Sequence, residues 1–218
     1  MGAIFRREFR SYFQSINGFL FIACLVLFFG IFTFDYNLFN QSPSIAYAHS
    51  DMLPVVAVFM PIVTVNSIFC EYKNGTYKLL YSLPLKNTQI FWGKYLSLVA
   101  LVCIPSVVFA LFPFVLNFFG DINFMASFGA ILGFLFFELA FVTVYFFISA
   151  SSKSTLLGTV VSYFVAVLLY VINLLAALVP IEWIEDILSR VSLFGSFDLY
   201  KFNFRICFAG CGSYAPRQ

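Results

Sequence analysis

The chain has 218 residues, a formal net charge of +2, 62% hydrophobic and only 10% charged residues, and a mean hydropathy of +0.96. Soluble domains carry about 25% charged residues, so this composition cannot build a water-facing surface, and the small net charge argues against a nucleic-acid footprint. The class that remains is all-α and polytopic: an N-terminal interfacial elbow helix and five transmembrane helices, predicted at about 18–34, 53–69, 95–119, 126–149 and 156–179. Each stretch approaches the roughly 20 apolar residues that cross about 30 Å of hydrocarbon.

Residues 3–16 come first. Phe5, Phe9, Tyr12, Phe13 and Ile16 recur on one helical face, with Arg6, Arg7, Arg10 and Gln14 opposite. A basic, aromatic amphipathic helix running into a span is expected to lie flat in the interface. It either fixes orientation alone or acts as an elbow that passes lateral movement to the first span. The 18–34 stretch is long and lacks a small-residue cleavage site, so a retained signal anchor is expected. The loop at 35–52 holds Asp35, Asp51 and the one histidine, His49, which is expected to be solvated in a polar loop. Pro54, Pro61, Pro105 and Pro113 are expected to kink the second and third spans.

The inner loop at 70–94 is the longest polar feature. Asn74-Gly75 punctuates it, Thr76 is suited to cap a helix at 77–83, and Pro84 ends that helix. Leu79, Leu80 and Leu83 form an apolar ridge on a segment too short and polar to enter the membrane. Such a ridge is either a docking surface or a helix resting on headgroups. Ile90, Phe91 and Trp92 return the chain to the interface, and Gly93-Lys94-Tyr95 opens the third span.

Alternation of spans places Arg6, Arg7, Arg10, Lys73, Lys78, Lys86, Lys94 and Lys153 on one side, with no Lys or Arg in the two short loops opposite. The positive-inside rule then expects a cytoplasmic N-terminus. In the fourth span Glu138 is read either as a substrate contact or proton-linked switch, or as a hydrogen-bonded carboxyl that holds helices together. Asn66, Asn117, Ser162 and Asn173 are candidates for interhelical hydrogen bonds of about 1 kcal/mol each. Cys24, Cys70 and Cys103 read as small apolar residues. Residues 180–190 are expected to form an outer amphipathic helix from the spacing of Ile181, Ile184, Ile187 and Leu188 against Glu182, Glu185 and Asp186. The tail at 201–218 is too short and polar for a sixth span and is expected to end outside. Its Cys207 and Cys211 are candidates for a bridge or part of a metal site, although two thiols fall short of the usual four zinc ligands.

Glu71-x-x-x-Gly75-Thr76, Leu80-x-x-x-Pro84 and Gly93-Lys94-Tyr95 resemble the signature of ABC-2 type permeases, the membrane subunits of type-2 ABC exporters. Within that family the chain is similar to the gliding-motility and copper-processing type subunits, over residues 1 to about 197. The resemblance implies one transmembrane domain at 1–200 in a bacterial inner membrane, with an elbow helix that includes Phe5, Arg6, Arg7, Phe9, Arg10 and Phe13. It also implies an ATPase-coupling loop with Glu71, Gly75, Thr76, Leu79, Leu80, Leu83, Pro84 and Lys94. Family members have six spans and a cytoplasmic C-terminus, so the 201–218 tail is read as truncated or frame-shifted. The implied partners are a separate cytoplasmic ATPase, which holds ATP and magnesium, a second identical or related permease copy, and membrane lipids.

The chain has no G-x-x-x-x-G-K-[ST], H-E-x-x-H or G-x-S-x-G pattern, so it is expected to be a permease rather than an enzyme, with no catalytic, cofactor or metal residues. An alternative is a non-transporting subunit that passes ATPase force to an envelope or gliding machine. An intramembrane enzyme would rest on Glu138 and His49, which are predicted at opposite ends of a span.

Overall fold

The computed structural model describes residues 2–36, 45–73, 87–118, 124–152 and 154–178, and among these the chain is helical with short turns. The helices are α1 (Gly2–Gln14), α2 (Ile16–Phe34), α3 (Ile45–Lys73), α4 (Asn87–Phe109), α5 (Phe112–Leu116), α6 (Phe124–Ser151) and α7 (Thr155–Leu178). Hydrocarbon offers no partner to a backbone N–H or C=O, so spanning segments must satisfy those groups internally. Five stretches are long and apolar enough to cross: Ile16–Phe34, Tyr47–Phe69, Thr88–Leu116, Ser127–Ser151 and Thr155–Leu175. The most enclosed is the α3 stretch, with 61% of its apolar window buried, against 17% for α7.

Two expectations change here. Helix α3 begins at Ile45 rather than 53, so His49 and Asp51 belong to a helix and not to a polar loop. Hydropathy marks where apolar residues begin, whereas the helical hydrogen bonds continue into the polar flank. The third span is also interrupted. Helix α4 stops at Phe109, the Leu111 amide closes a tight turn on the Val108 carbonyl at 3.0 Å, and α5 starts with Pro113 in its first turn. Pro113 has no N–H to give the Phe109 carbonyl and disfavours helical geometry in the residue before it. Pro54, Pro61 and Pro105, by contrast, stay inside continuous helices.

The turn from α1 to α2 is built by Ser15. Its hydroxyl donates to the Tyr12 carbonyl at 3.1 Å and accepts the Gly18 amide at 3.5 Å, as an N-cap does. A side chain at 18 would fall on the Tyr12 carbonyl, so this reversal needs glycine. Ser154 caps α7 in the same way through the Leu157 amide at 3.3 Å.

Packing divides the chain into two units. The first takes Met1–Val26, Pro54–Pro105 and Glu138–Val167, and the second takes Leu27–Leu53, Ser106–Phe137 and Leu168–Gln218. The predicted outer helix at 180–190 and the tail with Cys207 and Cys211 lie outside the described residues.

Candidate functional site

In the first unit, α1 has three sides rather than two. Ile4, Glu8 and Tyr12 are buried at i, i+4 and i+8. Phe5, Phe9 and Phe13 form a neighbouring stripe with ring centroids 5.7 and 5.1 Å apart, and Arg6, Arg7 and Arg10 are exposed. The buried side is fastened to α3 and α4. The Tyr12 hydroxyl donates to Ser67 Oγ at 2.5 Å, and Lys94 Nζ donates to the Ser67 carbonyl at 3.1 Å. Lys94 Nζ also lies 3.6 Å from Glu8 Oε2, while Glu8 Oε1 accepts a 2.7 Å bond from Arg7 Nη2.

The Lys94 and Glu8 side chains are 8% and 10% exposed, so this pair sits in a low-dielectric setting where losing one partner strands the other. Gly93 makes the contact possible: a Cβ there would stand 2.9 Å from Ile4 Cγ2, closer than packed atoms tolerate. Ile4 packs on Ile90 one turn before. Gly93-Lys94 is thus a close-approach residue followed by a tether.

A second set of polar contacts repairs α3. Pro61 has no N–H, so the Ala57 carbonyl one turn earlier loses its helical donor. The Tyr145 hydroxyl of α6 supplies a replacement at 3.4 Å, and the Tyr163 hydroxyl of α7 reaches the adjacent Val58 carbonyl at 2.9 Å. Tyr95 and Thr143 join α4 to α6 through a 2.9 Å hydroxyl pair. Helices in hydrocarbon gain no hydrophobic drive to associate, so such bonds count in their pairing.

The second unit is different. His49 is fully buried, its ring centroid 4.7 Å from Phe29, 5.1 Å from Phe134 and 6.0 Å from Phe109, in edge-to-face orientations. Its Nδ1 lies 3.0 Å from the Ile45 carbonyl, the geometry of an imidazole N–H donating there. The expectation of a solvated His49 is therefore corrected: helical residues 45–52 turn the ring inward onto phenyl faces. Phe29 is the hub, 4.1 Å from Phe109 and 4.9 Å from Phe112. Just beyond the first span, the Tyr36 hydroxyl donates to Asp51 Oδ2 at 2.6 Å and its ring stacks on Tyr47. That bond to the Asp51 carboxylate, with burial and the charge of Asp51 adding, pushes the Tyr36 phenol up to about 12.

The expected site residues distribute unevenly. Gly75, Thr76, Leu79, Leu80, Leu83 and Pro84 lie outside the described residues, as do Lys78, Lys86 and Lys153. Glu71 and Lys73 belong to the end of α3 by backbone. Lys94, expected in the loop, is a buried helical residue that binds α1 and α3. The crossing stretch Thr88–Leu116 therefore contains a base. Glu138 is fully buried in α6.

Ser162 bonds the Gly158 carbonyl of its own helix at 2.8 Å, Asn117 is exposed at the end of α5, and Asn66 and Asn173 are half-buried. Tyr12, Tyr95, Tyr145, Tyr163 and Lys94 carry the interhelical hydrogen bonds described above. Sequence reasoning missed Glu8, Ser67, Tyr145 and Tyr163. Glu8 had a signal, an acid at i+4 between Ile4 and Tyr12. Tyr145 and Tyr163 had none without the fold. No cluster suited to a metal ion occurs among the described residues.

A family model described as ABC-2 family transporter protein matches residues 31–197, well over half of the chain. Comparison with curated proteins and with solved structures gave no match. Members of that family are membrane subunits, generally non-catalytic, that work with an ABC ATPase. With five membrane-crossing helices behind its N-terminal helix, this chain belongs to the ABC-2 transporter family, as a multi-pass permease-type subunit.

Proposed function

We propose that the chain moves a substrate across a bacterial inner membrane using ATP hydrolysed by a separate cytoplasmic ATPase, with a second permease copy completing the path. The supporting observation is the Glu8–Lys94–Ser67–Tyr12 clamp. Helix α3 ends at Lys73 and α4 begins at Asn87, so these two helices flank residues 74–86, which hold most of the 71–84 loop that the family resemblance implies for ATPase contact. The clamp ties α1 to α3 through the Tyr12–Ser67 hydrogen bond and to α4 through the buried Glu8–Lys94 pair, and the Lys94–Ser67 hydrogen bond joins α3 to α4. Pressure on the 71–84 segment from closing ATPases would then displace α1, α3 and α4 together rather than bend one loop. In this scheme the N-terminus is cytoplasmic.

Co-purification with the cognate ATPase tests the proposal. Leu80→Asp and Thr76→Pro are expected to abolish binding and the permease-dependent part of ATP hydrolysis. Unchanged binding and hydrolysis in both variants would overturn it. Flux in proteoliposomes then separates transport from force transmission: ATP-dependent flux is expected, and coupled hydrolysis without flux would contradict it.

A further inference from the structure

Helix α3 is fastened at two levels, and its weakest turn lies between them. Toward its C-terminal end, Ser67 takes the Tyr12 hydroxyl of α1 on its side chain and the Lys94 ammonium of α4 on its carbonyl. Near mid-helix, the Ala57 and Val58 carbonyls take the hydroxyls of Tyr145 from α6 and Tyr163 from α7. Residues 58 and 67 stand about 13 Å apart along a helix axis. Between them Pro61 has no N–H for the Ala57 carbonyl, and the Thr64 hydroxyl bonds back to the Met60 carbonyl at 2.9 Å. Proline and threonine back-bonding each bend helices, and here both fall within one turn.

We propose that α3 is jointed at residues 58–64: its C-terminal half moves with α1 and α4, while Ala57 and Val58 stay with α6 and α7. The helix is continuous through this stretch, so the joint flexes rather than breaks. The Tyr145 bond to Ala57, at 3.4 Å, is longer than most hydrogen bonds and leaves room for the carbonyl to tilt. Tyr145 is fully buried, which keeps its hydroxyl at hand as the bend changes. A straight α3 with an unbroken ladder would instead drag α6 and α7 with every shift of the clamp. The joint belongs to the chain alone; its use as the place where ATPase-driven displacement divides rests on the proposed coupling.

The test uses the full chain in detergent without an ATPase. Nitroxide labels are attached through Arg10→Cys and Val160→Cys, at exposed positions of α1 and α7, with the native cysteines replaced by alanine. Pulsed electron paramagnetic resonance then reads the spread of distances between them. The native helix is expected to give a broad distribution, and Pro61→Ala/Thr64→Val, which restores the ladder, a narrower one. Equal widths would overturn the joint. A second measurement needs no label: Tyr145→Phe is expected to lower Tm, and Pro61→Ala, whose amide can serve the Ala57 carbonyl, to remove most of that loss. An equal loss in both backgrounds would overturn Tyr145 as the substitute donor that lets α3 bend. A rigid α3 would leave ATPase coupling standing, and failed ATPase binding would leave the joint standing.

Discussion

The two packing units solve the same problem with different chemistry. The first joins its helices by directed polar bonds: Tyr12 to Ser67, Lys94 to Ser67 and Glu8, Tyr145 and Tyr163 to the carbonyls around Pro61. The second surrounds His49 with Phe29, Phe109 and Phe134 and relies on ring contacts. Polar bonds fix one geometry and fail when a donor is lost. Aromatic packing depends on volume and shape and tolerates the loss of any single polar atom. A substitution that removes volume should therefore injure the second unit most, and one that removes a donor or fills a gap should injure the first.

The largest effect is expected at Phe29. Phe29→Ala opens a cavity among Phe109, Phe112 and His49 and should lower stability by about 3–5 kcal/mol, read as a fall in Tm in detergent. Gly93→Ala comes next. Its Cβ would collide with Ile4, costing about 1–3 kcal/mol, and Ile4→Ala in the same chain should recover part of that loss. Without recovery, the fastening of α1 against Gly93 is not what holds it. Tyr145→Phe keeps the ring and removes only the donor to Ala57, so about 1 kcal/mol is expected, with little change for the same substitution at a residue that bonds no backbone.

The smallest effect is a pH slope in the second unit. Tyr36 titrates ordinarily at 10.0 and here at about 12, so between these values the folded protein keeps a proton that the unfolded chain has lost. The stability from this bond is complete below pH 10 and is lost as pH rises toward 12. Tyr36→Phe should flatten that slope in thermal unfolding, and an unchanged slope would remove Asp51 as its partner.

Much of the architecture was legible because a bilayer imposes length and composition on each span, and the spacing of Phe5, Phe9 and Phe13 against the arginines identified the first helix. What hydropathy could not show was how far each helix continues beyond its apolar stretch. His49 and Lys94 were both assigned to loops for that reason, and both proved to be buried helical residues. The clamp was half visible: Gly93-Lys94-Tyr95 stood out as a motif, while Glu8 and Ser67 acquire meaning only when α1, α3 and α4 are brought together. Tyr145 and Tyr163 show the same limit, since a proline marks the carbonyl that needs a donor but not the distant residue that provides it.

A double-mutant cycle between Glu8 and Lys94, read by thermal unfolding of the full chain, tests the fastening of α1 most directly. Glu8→Gln and Lys94→Met are each expected to cost about 3 kcal/mol, because each strands a buried group. The pair together should cost less than the sum by more than about 1 kcal/mol. Strict additivity would contradict the clamp and leave α1 as a helix merely resting beside the others.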